Sequence, residues 1–216
     1  MTPGSPGPGD GRDSDTAIHF LVLVQPMESI YVAGVGMTPF GRHRQWSVKD
    51  LTRQAVTAAL QDAGCDASLL QAAYFSNATQ GHMDGQHMVR GQLALCAMGV
   101  QGIPVVNVEN ACASASTALH MAVQHVRSGA ADIVLAVGAE KMCIDDKARM
   151  FAAFDGAWDV HDTEAGKERL LAMGHGIAPP PGSLSPRPYS LFMDVYAAMG
   201  CMHMREFGTT LQQFAA

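Results

Sequence analysis

The sequence predicts an α/β fold in which a parallel-rich mixed sheet is covered by helices. Strand-like and helix-like patterns alternate along the chain from Met27 onward, and residues 103–140 have the order strand, helix, strand. Two strands of this order pair in parallel through a right-handed crossover. The second of them, "ADIVLAVGAE", is apolar almost throughout, which is typical of a strand covered on both faces.

The first 26 residues differ in composition from the rest of the chain. "MTPGSPGPGDGRDSDT" consists largely of Gly, Pro, Asp and Ser, which cannot bury enough apolar surface to offset the entropy of ordering. We therefore expect residues 1–26 to be a disordered N-terminal extension, with Met27 as the biological start.

The next two segments predict a strand and a helix. "SIYVAGVG" is short and β-branched, and predicts a buried strand that ends in glycines. Ser47 is a suitable N-cap for the following helix, and Gly64 is suited to end it. The apolar residues of that helix recur at helical spacing: Val48, Leu51, Ala55, Val56, Ala59, Leu60 and Ala63.

The middle of the chain continues the alternation. "LLQAAYFSNA" predicts a strand, "HMVRGQLALCAMG" a helix, and "IPVVNVEN" a strand whose Pro104 stands at its start, where a missing N–H matters little. A helix that ends at Ser128 and Gly129 follows. Its predicted apolar stripe is Ala115, Ala118, Leu119, Ala122 and Val126.

The last part of the chain has another character. Residues 145–190 are mixed in charge, contain three consecutive prolines from Pro179 to Pro181, and predict a loop-rich insertion with one or two short helices. A helical pattern follows to the end. We therefore divide the chain into the extension 1–26, an α/β unit 27–145 and a loop-rich and helical region 146–216.

Composition excludes several classes of function. Of the 216 residues 48% are hydrophobic and 16% charged, as in globular proteins, and the net charge of -6 provides no basic surface for nucleic acid. No apolar run approaches the roughly 18 residues of a membrane span. Five cysteines without a CxxC pair indicate neither a disulfide framework nor a zinc site, and favour a cytoplasmic protein. No metal site is predicted, because no Cys or carboxylate completes a ligand set with His82 and His87.

Cys112 lies at the predicted turn from the strand "IPVVNVEN" to the next helix. Unpaired N–H groups and the positive end of the helix dipole stabilise a thiolate at such a turn. The same N–H groups can stabilise the oxyanion that forms when sulfur attacks an acyl carbonyl. The position therefore predicts a nucleophile for acyl transfer, although a small buried cysteine without chemistry is a common alternative.

The stretch "ENACASASTALHMAVQHVRSGAADIVLAVGAEKM" resembles the active-site segment of the thiolase superfamily, in which a cysteine at this turn carries the acyl group. "YVAGVGMTPFGR" and "FMDVYAAMGCMHMREFGTTLQQFA" are similar to the sterol carrier protein x or lipid-transfer branch, which is acetyl-CoA acetyltransferase-like. The resemblance implies a thiolase-like fold, Cys112 as the catalytic residue, acyl-CoA or 3-ketoacyl-CoA as substrate, no permanently bound cofactor, and a homo-oligomer or a second-half chain as partner. Which residues contact coenzyme A stays unassigned.

The chain also departs from the thiolase pattern at several points. Ala115 stands where thiolases usually have Gly, and Glu109 stands where they usually have Asn. Thiolases resemble a duplication of two α/β halves, and their catalytic histidines and second cysteine come from the second half. No motif of that half follows residue 145, so we expect the first half plus loop region, with the second half absent and no thiolase activity alone.

Two alternatives stay open at this point. A β-ketoacyl synthase-like condensing enzyme has a similar cysteine turn, and depends on acyl-carrier protein where a thiolase depends on coenzyme A. A non-catalytic, aldolase-type subunit of thiolase-like fold would act by pairing with another chain, and a lone half would expose a large apolar face.

Overall fold

The computed structural model describes residues 29–178 and 191–216. The predicted extension 1–26 and the proline run at 179–181 lie outside the described residues. The strands are β1 (Ala72–Ser76), β2 (Val105–Val108) and β3 (Val134–Gly138). The helices are α1 (Val48–Ala63), α2 (Gln80–Asp84), α3 (Arg90–Cys96), α4 (Ser114–Arg127), α5 (Lys147–Ala152), α6 (Thr163–Ala172), α7 (Leu191–Phe207) and α8 (Leu211–Ala215).

The three described strands form one parallel sheet with the order β2-β1-β3. Ala73 of β1 is in register with Val105 of β2 on one side and with Leu135 of β3 on the other. Helix α4 connects β2 to β3 and crosses the central strand. The predicted α/β fold with a parallel sheet covered by helices is thereby confirmed.

Strand β1 is buried along its whole length, and its side chains alternate between two cores. Phe75 is fully buried with Val56 of α1 and Leu95 of α3 on one face of the sheet. Tyr74 belongs to the core of the opposite face, with Val108 and with Ala118 of α4. The sheet is therefore covered by helices on both faces, as the apolar strand patterns predict.

Both predicted ends of α1 are confirmed. The Ser47 hydroxyl accepts a hydrogen bond from the Asp50 N–H, and the Asp50 carboxylate accepts from the Ser47 N–H at 2.9 Å, which completes a capping box. Gly64 ends the helix with φ +60°, a left-handed conformation that glycine adopts without steric cost.

Helix α3 is shorter than predicted. It begins at Arg90 because Val89 has φ +48°, and the chain turns at Gly99 with φ +87°. Inside the helix, a Cβ on Gly91 would lie 2.5 Å from the Phe75 Cβ, so only glycine lets α3 approach the central strand this closely.

The buried face of α4 differs from the predicted stripe. Ser114, Ala118 and Ala122, which are spaced four residues apart, are buried, whereas Leu119 is 51% exposed. Ala115 is exposed as well. The sheet contacts α4 along one narrow strip, because small residues at this spacing allow close approach and leave the rest of the helix facing outward.

The predicted first strand, "SIYVAGVG", is wrong as a buried strand. The segment is irregular, and Tyr31 and Val32 are 82% and 73% exposed, since no described strand lies beside it to pair with. The Val35 N–H donates to Asp62 of α1 at 2.9 Å. A Cβ on Gly36 would lie 2.2 Å from the Ala55 carbonyl oxygen, so the segment lies directly against the α1 backbone.

In the described part of residues 145–190, α5 and α6 are short helices. Gly174, just after α6, lies against α7, because a Cβ there would be 3.0 Å from the Ala198 Cα. Trp158 stacks on Phe192 of α7 with ring centroids 4.7 Å apart. Among the helices of the described ranges, none is both long enough and apolar enough to cross a membrane.

Candidate active site

The carboxyl ends of the three parallel strands meet at one edge of the sheet. Asn77 follows β1, Glu109 follows β2, and Ala139 and Glu140 follow β3. The Asn77 N–H donates to the Val108 carbonyl at 3.2 Å, and the Ala139 N–H donates to the Ser76 carbonyl at 3.1 Å. These bonds extend the ladder by one residue beyond the strands, so the segments after them start from fixed positions.

Cys112 lies in a single 3-10 turn, Ala111–Ala113, between β2 and α4. This is the turn between strand and helix at which the sequence predicts the cysteine, and α4 begins two residues later, at Ser114. No side chain caps the N-terminus of α4. The Ser114 N–H donates to the Ala111 carbonyl, and no side chain caps the other N–H groups of the first turn beside the cysteine.

The residue before Cys112 has a strained backbone. Ala111 has φ +45°, a left-handed conformation that is unusual for any residue with a Cβ. The Ser114 hydroxyl donates to the Ala111 carbonyl at 2.7 Å and accepts from the Asn110 N–H at 2.8 Å. Ser114 is 5% exposed. A buried hydroxyl thus bridges the two residues that lead into the cysteine.

Two further contacts hold the same turn. The Glu109 carboxylate accepts from the Ala111 N–H at 2.7 Å, and the Asn110 side-chain amide donates to the Thr117 hydroxyl at 3.0 Å. None of these hydrogen bonds involves the sulfur of Cys112, and Cys112 is exposed. Hydrogen bonds therefore fix the residues around Cys112, while Cys112 itself stays exposed.

The end of β3 lies directly below the first turn of α4. A Cβ on Gly138 would lie 2.7 Å from the Ser76 hydroxyl oxygen and 3.4 Å from the Ala115 Cβ. The Ser76 hydroxyl donates to the Val137 carbonyl at 3.1 Å. Gly138 therefore allows three elements to meet below the cysteine turn, where a larger residue would displace one of them.

Glu140 and Asn77 form a hydrogen-bonded centre at this edge, which none of the sequence patterns predicts. The Glu140 carboxylate accepts from the Ala78 N–H at 2.8 Å, the Thr79 N–H at 3.1 Å, the Thr79 hydroxyl, and the Asn77 side-chain amide at 3.0 Å. The sequence signal for this centre is an acidic residue directly after an apolar strand. The hydrogen-bond partners of that residue lie 61 to 63 residues away in the sequence.

Of the histidines, two lie on or near α2. The His82 ring shares a 3.1 Å hydrogen bond with the Arg149 carbonyl, and the Arg149 guanidinium donates back to the His82 carbonyl. His87 lies against Gly81, where a Cβ would be 2.7 Å from the ring nitrogen Nδ1. Within the described ranges, no group of three His, Cys, Asp or Glu residues could hold a metal ion.

His125 lies at the far end of α4 from Cys112. The Tyr74 hydroxyl and His125 Nδ1 share a 2.8 Å hydrogen bond. This contact ties the last turn of α4 to the central strand, so it anchors the helix whose other end carries the cysteine turn.

Comparison with known proteins gives one family. The family described as thiolase, N-terminal domain, matches residues 30–174. Sterol carrier protein 2 of Gallus gallus is 33% identical over 188 residues, which cover 86% of this chain and 31% of that protein. Acetyl-CoA acetyltransferase of Methanothermobacter thermautotrophicus is 32% identical over 191 residues, which cover 88% of this chain and 43% of that protein.

Among solved structures, 3-oxoacyl-acyl-carrier-protein synthase III from Aquifex aeolicus VF5 matches with a TM-score of 0.41 and 21% identity, over 46% of this chain and 31% of that one. The chain spans 31% to 43% of the length of the two curated relatives. Because the thiolase N-terminal domain matches more than half of its residues, the chain belongs to the thiolase family.

Proposed function

We propose that this protein is a thiolase-type acyltransferase in which Cys112 carries the acyl group as a thioester, with acyl-CoA or 3-ketoacyl-CoA as the substrate. The exposed position of Cys112 on a rigid turn beside the uncapped N-terminus of α4 is the observation that carries the proposal. Membership of the thiolase family supports it.

The first chemical step needs no bound cofactor. The Cys112 thiolate attacks the thioester carbonyl carbon, a new sulfur–carbon bond forms, and the carbonyl oxygen becomes an oxyanion. The N–H groups of the first turn of α4 are suited to stabilise that oxyanion. The bond from carbon to the sulfur of coenzyme A then breaks, and coenzyme A leaves as a thiolate that takes a proton from solvent.

The second half of a thiolase reaction needs a base. Thiolysis requires a proton to be removed from the incoming coenzyme A thiol, and condensation requires one from the α-carbon of a second acyl-CoA. The hydrogen bonds of the Cys112 turn involve Ser114, Thr117 and Glu109, and none involves a histidine. We place this base outside these 216 residues, so we expect the 216-residue chain alone to be acylated without turnover.

Acylation by acetyl-CoA tests the proposal. Intact mass spectrometry of the chain should show one acetyl adduct, and peptide mapping should place it on Cys112. Cys112→Ala should abolish the adduct, whereas Cys96→Ala is the matched control, because Cys96 is the other exposed cysteine. Absence of an adduct, or an adduct that persists in Cys112→Ala, contradicts the proposal.

Two further measurements separate the alternatives. Faster acylation from an acyl-carrier protein than from coenzyme A would favour a β-ketoacyl synthase over a thiolase. Thiolysis of a 3-ketoacyl-CoA by the purified chain, lost in Cys112→Ala, would show that the base is in this chain after all. Neither result is expected.

We also propose a cytoplasmic location and an assembled state, either a homo-oligomer or a complex with a second-half chain. All five cysteines are free thiols, which supports a reducing compartment. Large apolar side chains are exposed on the segment before α1, on β2 and on α4, including Phe40 at 94%, Val106 at 39% and Leu119 at 51%. Size-exclusion chromatography with and without a candidate second-half protein tests the assembled state.

A further inference from the structure

The structure assigns to Glu140 the role of a positioning residue for Cys112, an inference that rests on the proposed acyl transfer to that cysteine. Glu140 accepts four hydrogen bonds from three consecutive residues, Asn77 to Thr79, which lead from β1 into α2. One carboxylate therefore fixes the start of the segment that follows the central strand.

Asn77 connects Glu140 to the ends of the two outer strands of the sheet. It is 3% exposed, and its side-chain amide donates to the Ala139 carbonyl at 2.6 Å as well as to Glu140. Its backbone N–H donates to the carbonyl of Val108, the last residue of β2. Asn77 thus contacts the end of β3 and the end of β2 at once.

The end of β2 leads directly into the cysteine turn. Glu109, next after Val108, accepts the Ala111 N–H, and Ala111 precedes Cys112. The path from Glu140 to Cys112 therefore runs through Asn77 and Val108 into the turn, and every step is a hydrogen bond or a peptide bond. Without the Glu140 contacts, we expect the cysteine turn to be held less firmly where it follows β2.

Arg90 supports the same centre from α3. Its guanidinium donates to the Asn77 carbonyl at 3.0 Å and to the Asn77 side-chain oxygen at 2.9 Å. Asn77 is therefore held between a carboxylate and a guanidinium, which restricts the backbone at the end of β1 from two directions.

The two carboxylate oxygens of Glu140 accept hydrogen bonds from different donors. A substitution that replaces only one of these oxygens is therefore a selective test of the arrangement. Oε2 accepts from the Ala78 N–H alone, whereas Oε1 accepts the other three hydrogen bonds. Glutamine in place of Glu140 keeps one acceptor oxygen. Its NH₂ group replaces the other oxygen, so that at this position one hydrogen-bond donor would face another. Glu140→Gln therefore breaks the arrangement with almost no change in volume.

The test uses the full chain and two readouts. We measure the rate at which acetyl-CoA acylates Cys112, and the rate of Cys112 alkylation by iodoacetamide relative to Cys96 between pH 6 and 9, roughly the range in which thiols titrate. For Glu140→Gln we expect both Cys112 rates to fall on the order of tenfold, and the alkylation pH profile of Cys112 to change, because small displacements of a reacting group are costly. The Cys96 rate should stay unchanged.

Three other variants complete the design. Asp145→Asn removes a carboxylate that lies five residues further along the chain and pairs with Arg44 instead, so it should leave both Cys112 rates unchanged. Thr79→Val removes one hydroxyl donor to Glu140, so it should give a smaller effect in the same direction and serves as the test if Glu140→Gln does not fold. Thr79→Ser, which keeps the hydroxyl, should restore the wild-type rates.

The outcomes of the two readouts are distinguishable. If the wild-type chain is not acylated by acetyl-CoA, the proposed function fails, whereas alkylation of Cys112 still tests Glu140. If Glu140→Gln, folded as judged by its circular dichroism and thermal transition, has the wild-type ratio of Cys112 to Cys96 alkylation and the wild-type pH profile, the role of Glu140 is overturned.

Discussion

The Ser114 hydroxyl donates a 2.7 Å hydrogen bond to the carbonyl oxygen of Ala111, the residue whose φ of +45° sets the direction of the chain into Cys112. The left-handed conformation costs an alanine about 1–2 kcal/mol. Ser114 offsets this cost locally, because it also accepts the N–H of Asn110 from a buried position. The geometry of the cysteine turn therefore depends on a side chain two residues after the cysteine.

Removal of this hydroxyl should destabilise the turn. In Ser114→Ala the Asn110 N–H loses its acceptor and the Ala111 carbonyl loses a donor, so we expect the free energy of unfolding to fall by about 1–2 kcal/mol. Ser116→Ala is the control, because Ser116 makes a similar hydrogen bond to Ala113 from an exposed position. Urea denaturation measures both variants, and equal losses would contradict the special role of Ser114.

Relief of the backbone strain at Ala111 should reduce the stability loss that Ser114→Ala causes. Glycine adopts φ of about +45° without the Cβ clash, so Ala111→Gly should leave the free energy of unfolding within about 1 kcal/mol of the wild-type value. In that background Ser114→Ala should cost less than it does alone. A double-mutant cycle measures the difference, and strict additivity would show that the two residues are not coupled.

Cys112 should react faster than the other exposed cysteine. Both Cys112 and Cys96 are exposed, so access alone predicts similar rates with iodoacetamide. Cys112 lies beside the uncapped N-terminus of α4, whereas Cys96 is the last residue of α3, at the negative end of a helix dipole. Peptide mapping after brief labelling near neutral pH should therefore find Cys112 modified first, and equal labelling would remove the electrostatic argument.

The contact between Gly91 and Phe75 should tolerate no side chain. Gly91→Ala places a Cβ 2.5 Å from the Phe75 Cβ and 3.0 Å from a Val105 methyl group, so α3 or the sheet must move. We expect a loss of about 1–3 kcal/mol in the free energy of unfolding. Gly200→Ala in α7 is the matched control, because nothing lies within 4 Å of its added Cβ, and it should stabilise by about 0.5–1 kcal/mol.

The capping box of α1 should give the chain an acid-sensitive contribution to stability. The Ser47 hydroxyl and backbone N–H both donate to the Asp50 carboxylate, and these hydrogen bonds hold the pKa of Asp50 below its ordinary value. The contribution is therefore present above the unfolded-state pKa of about 3.9 and is lost as the pH falls through the lower folded-state value.

Ser47→Ala removes the larger of the two causes, so the pKa of Asp50 should move back toward its ordinary value. Thermal unfolding between about pH 3 and pH 6 should then depend less steeply on pH than it does for the wild-type chain. Parallel pH profiles for the two proteins would mean that Asp50 does not contribute.

Local patterns were sufficient to predict the strands of the sheet and the ends of α1. The apolar run 131–139 contains β3 and the run 103–108 contains β2, and Ser47 and Gly64 act within their own turns of α1. The position of Cys112 between a strand and a helix also follows from such patterns. Local sequence decides these features because the groups involved are neighbours in the chain.

The remaining features depend on contacts between distant residues. "SIYVAGVG" has the composition of a strand, yet a strand forms only where a partner edge is present, and residue composition does not report that edge. Glu140 meets Asn77 over 63 residues of sequence, and the left-handed conformation of Ala111 depends on buried Ser114. These contacts arise from the tertiary fold, so no periodicity predicts them.

The order β2-β1-β3 has a consequence for the sequence of events during synthesis. Of the described strands, the one made first occupies the centre, so each later strand finds its pairing partner already outside the ribosome. Both parallel pairs and the crossover helix are available once residue 138 has emerged, before α6 and α7 leave the ribosome. Defects in β1 should therefore halt assembly at its earliest stage, whereas defects in the C-terminal helices should act on a sheet that has already formed.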